Sequence, residues 1–170
     1  MSKTSALLLS GLLFPVLLIA ACHGPQTPKA ADDRSSDQAA ARQTLMDYFR
    51  ALHEGDFARA ADLYGGSYDV MIGHNPGLDP ANQPALFQAA CTLNGAVCLE
   101  AALIQPVEEQ EPISGEFSFQ VTFQNEDGSL LVLGPCCGAP EGDTQSEFSF
   151  HVRETPEDHF QVMDLPVYQP

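Results

Sequence analysis

The stretch Phe117-Ser118-Phe119-Gln120-Val121-Thr122-Phe123-Gln124 decides the fold. Apolar and polar side chains alternate through it without a break, which is the period of a strand with one face on a core and the other toward water. Phe148, Phe150 and Val152 repeat the pattern, leaving Ser149, His151 and Arg153 for the solvent face. Between the two runs, Asp127-Gly128 reads as a hairpin turn that returns through Leu130 to Leu133. A strand near Cys98 to Val107 comes before them. Phe160 to Val167 ends the chain after a turn at Thr155 to Asp158.

Upstream of Gly95 the period is helical. Ala41, Leu45, Tyr48, Phe49 and Leu52 fall on one face of a helix over 38–53, with Asp37 as N-cap and Gly55 as stop. A second helix starts after Asp56, buries Phe57, Ala60, Ala61 and Tyr64, and ends at Gly65-Gly66. Tyr68 to Ile72 reads as a short strand and Gly73 to Pro80 as loop. Asn82 caps a third helix with Pro84 in its first turn, closed by Asn94-Gly95. Helices followed by sequential strands predict an α+β fold, N-terminal helices packed on an antiparallel sheet. Residues 38–170, about 130, match the commonest size of a single domain.

The start of the chain carries a different signal. One charge, Lys3, precedes the apolar run Ala6 to Ile19. That run is about 14 residues, short of the roughly 20 that span a bilayer, and it ends in the small residues Ala20 and Ala21. This is the pattern of a signal peptide over 1–21. Ile19-Ala20-Ala21-Cys22 resembles the lipobox of bacterial lipoproteins, in which the cysteine receives diacylglycerol and becomes the new N-terminus. The resemblance implies two or three acyl chains on Cys22, where one chain holds marginally and two hold firmly. It also implies an extracytoplasmic, lipid-anchored place in the cell envelope. The residue after the cysteine is His23, not the aspartate associated with inner-membrane retention, so an outer membrane is the destination if the cell has one. Residues 22–37, rich in Pro, Ala, Ser and charge, read as a flexible tether.

Seven basic side chains face 23 acidic ones, for a formal charge of −16, and loss of Lys3 with the leader adds one more negative charge. Arg153 is the only base after Arg59. Such a surface repels phosphate backbones, which argues against nucleic acid and anionic substrates. The acids are scattered, and Asn125-Glu126-Asp127-Gly128 lacks the later ligands of a calcium loop.

The order helix, short helix, strand, helix and then a meander resembles the nuclear transport factor 2-like superfamily. The stretch Tyr48-Phe49-Arg50-Ala51-Leu52-His53-Glu54-Gly55-Asp56-Phe57-Ala58-Arg59-Ala60-Ala61-Asp62-Leu63-Tyr64 is similar to that family's opening, and Phe160-Gln161-Val162-Met163-Asp164-Leu165 to its close. The resemblance implies a curved, cone-like sheet wrapped on the first helix, often around an apolar pocket in which Asp, His or Tyr acts as acid or base. No catalytic motif carries over residue by residue, and fold alone does not supply function.

Cys91, Cys98, Cys136 and Cys137 are the remaining cysteines. Their spacing fits zinc loops poorly, and an even count outside the cytoplasm points to disulfides. Neighbours in an extended segment point oppositely, so one bridge each from Cys136 and Cys137 to Cys91 and Cys98 is the natural geometry, with the pairing open. Asp164 follows Phe160 and Val162 at period two, which would turn a carboxylate inward as a general base, or leave it hydrogen-bonded at the rim if the strand ends there. Tyr48, Tyr64 and Tyr68 could offer hydroxyls to a pocket or simply be core. His53 and His74 lack a companion at ligand spacing, and His151 reads as solvent-facing without a role. No metal site or cofactor is expected.

Two functions are open. The first is a non-catalytic binding or accessory domain, membrane-held through Cys22, that takes a small apolar ligand or an envelope protein. The second is a small lyase, isomerase or hydrolase using Asp164 with a tyrosine such as Tyr48. The absence of a paired catalytic motif favours the first. If the cone forms, Phe49 and Leu52 should meet Phe119, Val121, Phe150 and Val162 in one interior, leaving at most a small apolar pocket with Asp164 or Tyr48 near its mouth.

Overall fold

A computed structural model describes residues 29–108, 113, 115–134 and 144–169. The leader, Cys22, Cys136 and Cys137 lie outside the described residues.

Helix α1 spans Lys29–Glu54 and turns Ala41, Leu45, Tyr48, Phe49 and Leu52 into the core. It begins at Lys29 rather than after Asp37, so the second half of the expected tether is helical. Two tertiary ties hold α1 to the sheet, the first of them from within the added turns. The Arg34 guanidinium lies 5.4 Å from the centre of the Phe117 ring, and Arg42 Nε donates to the Ile104 carbonyl at 3.1 Å. Composition alone carries neither tie. Gly55, at φ +75°, takes the left-handed conformation that ends the helix.

The Asp56 side chain accepts from the Arg59 N–H and starts α2, Phe57–Leu63. Tyr68 to Ile72 is not a strand. Asp69–His74 form a one-turn helix, α3, with the Ser67 hydroxyl accepting from the Asp69 N–H. Met71 is buried while its neighbour Val70 is 48% exposed, and Tyr68 and Ile72 pack partly against the core. Contacts at 68, 71 and 72 follow the helical period, which a stretch this short does not separate from a strand by sequence. Asn82 caps α4, Gln83–Thr92, with Pro84 in the first turn and Gly95 at φ +75° beyond its end.

The sheet consists of β1 (Ala101–Pro106), β2 (Glu116–Phe123), β3 (Phe148–Glu154) and β4 (Phe160–Val162), in that spatial order and antiparallel throughout. Phe119 pairs with Phe150, Phe117 with Val152, and Val152 with Val162. Burial along β2 alternates as the sequence predicts. The fold is therefore α+β, helices packed with an open antiparallel sheet. Leu130 to Leu133 contributes only the isolated bridges Gln124–Leu130 and Leu133–Gln145 rather than a strand.

Phe49 joins the two layers. Its ring stands edge-on to Phe123 and to Phe150, 4.9 Å between centres in each case. Leu52, Phe119, Val121 and Val162 belong to the same core cluster. Aromatic edges packed this way add to the area term.

Candidate functional site

All four tyrosines of the sequence gather at the helical side of this core, although they lie as far apart as positions 48 and 168. Tyr48 comes from α1, Tyr64 follows α2, Tyr68 precedes α3, and Tyr168 sits in the C-terminal segment. Phe87 of α4 completes the group. Tyr64 stacks on Tyr48 at 6.2 Å and meets Tyr68 and Phe87 edge-on at 5.1 and 5.4 Å. Gly66 makes the arrangement possible, because a Cβ there would stand 2.2 Å from the Met163 carbonyl and 2.5 Å from the Tyr64 hydroxyl.

The hydroxyls are the chemically notable part. Tyr64 donates to the Ser67 carbonyl at 2.8 Å. Those of Tyr48, Tyr68 and Tyr168 are buried with no hydrogen-bond partner among the described residues. A buried, unsatisfied hydroxyl costs about 1–3 kcal/mol, so three in one group are expensive if they serve nothing. Burial, then the neighbouring phenols and the Asp164 charge, hold Tyr48 well above its ordinary pKa. Burial and the same neighbours raise Tyr64. Tyr68 is pushed up to about 12 by burial and then Asp62, and burial raises Tyr168. At neutral pH all four stay protonated, able to donate.

Asp164 sits beside this group without entering the core. Its side chain is 37% exposed, and Oδ2 accepts from the His151 backbone N–H at 2.6 Å and contacts His151 Nδ1 at 2.9 Å. Of the two positions the sequence left open for Asp164, this is the hydrogen-bonded one at the rim and not the inward, buried one. The expected strand Phe160 to Val167 stops at Val162 for the same reason. The Met163 N–H still reaches the His151 carbonyl at 2.9 Å, but the Asp164 side chain takes the His151 N–H that a continuing ladder would use. His151, expected to have no role, is the partner of that carboxylate. Strand alternation gave no sign of it.

Cys91 and Cys98 are bonded to each other, Cα atoms 5.7 Å apart. The expected bridges from these two to Cys136 and Cys137 are excluded, and so is a tetrathiolate site using all four. The local geometry accounts for the pairing. α4 ends at Thr92, Gly95 reverses the chain, and Cys98 returns to the last turn of the helix. The reversed loop then pairs with the C-terminal segment. The Val97 N–H donates to the Val167 carbonyl at 2.7 Å, and the Gln169 N–H to the Gly95 carbonyl at 2.9 Å. These bonds lay Tyr168 against the cluster, where its ring meets His74 at 5.7 Å.

Two open clefts lie at the disulfide loop and just beyond it. One, of about 450 Å³, is lined by His53, Glu100, Gln124, Asn125 and Glu126 among others. The second, of about 330 Å³, is lined by Cys91, Cys98, Val97, Leu131 and Gln169 among others. Neither has Tyr48 or Asp164 at its mouth, so neither is the expected apolar pocket. Asp127, beside the first, is turned back on Ser129, whose hydroxyl and N–H hold its carboxyl below the usual range. Among the described residues no group of three or more His, Cys, Asp or Glu side chains could hold a metal ion, and no helix is long and apolar enough to cross a membrane.

No family model matches the chain, and no curated protein matches it in sequence.

Proposed function

We propose that the chain is an exported lipoprotein, anchored by acyl chains on Cys22, whose domain binds a small ligand at the tyrosine cluster without turning it over. The observation that carries this reading is the set of three buried phenol hydroxyls, Tyr48, Tyr68 and Tyr168, that have no partner among the described residues. A ligand bearing hydrogen-bond acceptors on an apolar frame would satisfy them and use the ring faces. Asp164 and Asp62 act on the phenols as negative charges, and the chain is strongly acidic, so a neutral or cationic ligand is favoured over an anion. The apolar ligand of the sequence reading thereby becomes an acceptor-bearing one.

The enzymatic alternative draws on one observation, the Asp164–His151 contact within electrostatic reach of Tyr48 and Tyr64. Phenols held protonated by burial are poor bases, however, and Asp164 Oδ2 is already committed to two groups of His151. Binding is the better account.

The ligand half is tested with a library of small neutral, cationic and anionic acceptors read by intrinsic emission. The chain has four tyrosines and no tryptophan, so the whole signal arises in this cluster. Neutral or cationic compounds should change it in the native protein and bind at least about tenfold more weakly to Tyr48→Phe, the size expected for one lost hydrogen bond. Binding that ignores Tyr48→Phe would place the ligand elsewhere.

A further inference from the structure

We propose that the C-terminal segment Leu165–Gln169 is a lid over the tyrosine cluster, and that the Cys91–Cys98 disulfide is the clasp that keeps it shut. The backbone bonds named for the segment run to Gly95 and Val97, both inside the loop that the disulfide closes. The isolated bridge between Ala96 and Tyr168 lies at the centre of the same contact. What the lid covers follows from Tyr168, whose hydroxyl is buried and whose ring packs against the core and the His74 ring of α3. Lifting these residues would uncover the face of the core on which Leu165, Val167 and Tyr168 pack.

The clasp works because the loop is a poor receptor when free. It leaves α4 through a left-handed glycine, Gly95, where a Cβ would stand 2.9 Å from the Gln169 carbonyl. The Ala96 N–H to Ala90 carbonyl bond, at 3.0 Å, helps fold it back on the helix. Joining Cys91 to Cys98 fixes both ends of the loop, so the edge that receives Val167 and Gln169 is preorganised. Without the bond the loop gains conformations that do not present that edge, and the strap loses its partner before the sheet loses any of its own.

The bond is also reachable. Both cysteines are only partly buried and line the 330 Å³ cleft together with Gln169. A dithiol reductant would act by thiolate attack on one sulfur, giving a mixed disulfide and releasing the other as a thiolate. The reductant's second thiol then displaces the remaining sulfur. Two electrons and two protons pass to the protein, leaving Cys91 and Cys98 as thiols and the reductant as a disulfide. Such a step would couple access to the cluster to the thiol balance around the protein. The lid's purpose rests on the ligand reading above; its clasp does not.

Amide hydrogen exchange on the full domain tests the clasp directly, since the Val97 and Gln169 amides are its two reporters. They should exchange at least about tenfold faster in dithiothreitol, and equally so in Cys91→Ser/Cys98→Ser without reductant, which keeps Cys136 and Cys137 out of the result. Amides of the β2–β3 ladder around Phe119 and Phe150 report global opening and should rise only by the factor that the lowered global stability gives, less than the rise at Val97 and Gln169. Unchanged rates at Val97 and Gln169 overturn the clasp, and so does an equal rise at all sites, because the disulfide would then be a global staple. A clasp confirmed in this way, with no ligand found by tyrosine emission, leaves the strap a redox-sensitive element and removes only the binding function.

Discussion

Asp164 Oδ2 receives the His151 backbone N–H at 2.6 Å where the next backbone carbonyl of a longer β4 would otherwise be the acceptor. One side chain therefore ends a strand, holds a histidine at the sheet margin and sets a negative charge near Tyr48 and Tyr64. Asp164→Ala should cost about 1 kcal/mol, the low end for a hydrogen bond to a charged group because the site is partly exposed. Denaturant unfolding measures it. Asp164→Asn should also move phenol ionisation to lower pH, since the Asp164 charge is among the causes that raise Tyr48 and Tyr64. No movement would mean that the carboxylate does not act on the cluster.

Alkaline pH should unfold the protein through the tyrosines. An unfolded phenol ionises near its ordinary value, about 10, whereas folded Tyr68 is pushed up to about 12 and Tyr48 and Tyr64 are also raised. Between those values the unfolded chain binds fewer protons, so each step up in pH favours unfolding. Stability should be insensitive to these groups below about pH 10 and fall progressively from there through about 12. Thermal melts against pH, with phenolate absorbance followed in parallel, check this. Phenolate absorbance rising near pH 10 in protein that is still folded would show the cluster to be solvated.

Phe119→Ala should cost roughly 3–5 kcal/mol, the usual penalty for emptying a buried aromatic site. Phe119 is fully buried and pairs with Phe150 across β2 and β3. A cost well under 1 kcal/mol would mean that the inner face of β2 is misassigned.

Much of this architecture was legible in the sequence, and the exceptions share a cause. The inner face of β2, the Asn82 cap, Pro84 in the first turn and Gly95 beyond α4 are all written locally, in period, cap chemistry and backbone freedom. The errors fall where a distant partner decides. Lys29 to Asp37 looks like tether until Arg34 finds Phe117. Cys91 pairs with Cys98 because of one turn at Gly95, which spacing does not specify. The candidate site was the least legible part. Tyr48, Tyr64 and Tyr68 each look like ordinary core aromatics, and only the folded chain brings Tyr168 to them and leaves three hydroxyls without partners. His151 was set aside on strand alternation, which says nothing of a side chain arriving from beyond the end of β4.

Loss of the disulfide should be tolerable. The cysteines are only 7 positions apart, so the loop-closure contribution is small, about 2 kcal/mol, against 3 or more for longer loops. Cys91→Ser/Cys98→Ser should remain folded with a lowered melting temperature, and alkylation of unreduced native protein should label neither residue. Labelling of both would show that the bond does not form.

The anchor is separable from the domain. Cys22→Ser should leave export intact and release the protein from carbonate-washed membranes, because the acyl acceptor is gone while the leader is unchanged. Retention of the variant would contradict the lipobox reading and leave the tyrosine site untouched.

The most direct test of the whole account is native mass spectrometry of wild-type and Tyr48→Phe protein extracted from the cell's own membranes. The account predicts a chain that begins at an acylated Cys22, holds Cys91 and Cys98 oxidised, and retains a small neutral or cationic molecule that Tyr48→Phe loses. Acylated, oxidised protein without any retained molecule in either form, under conditions that preserve noncovalent complexes, would contradict the claim that the buried hydroxyls exist to bind one.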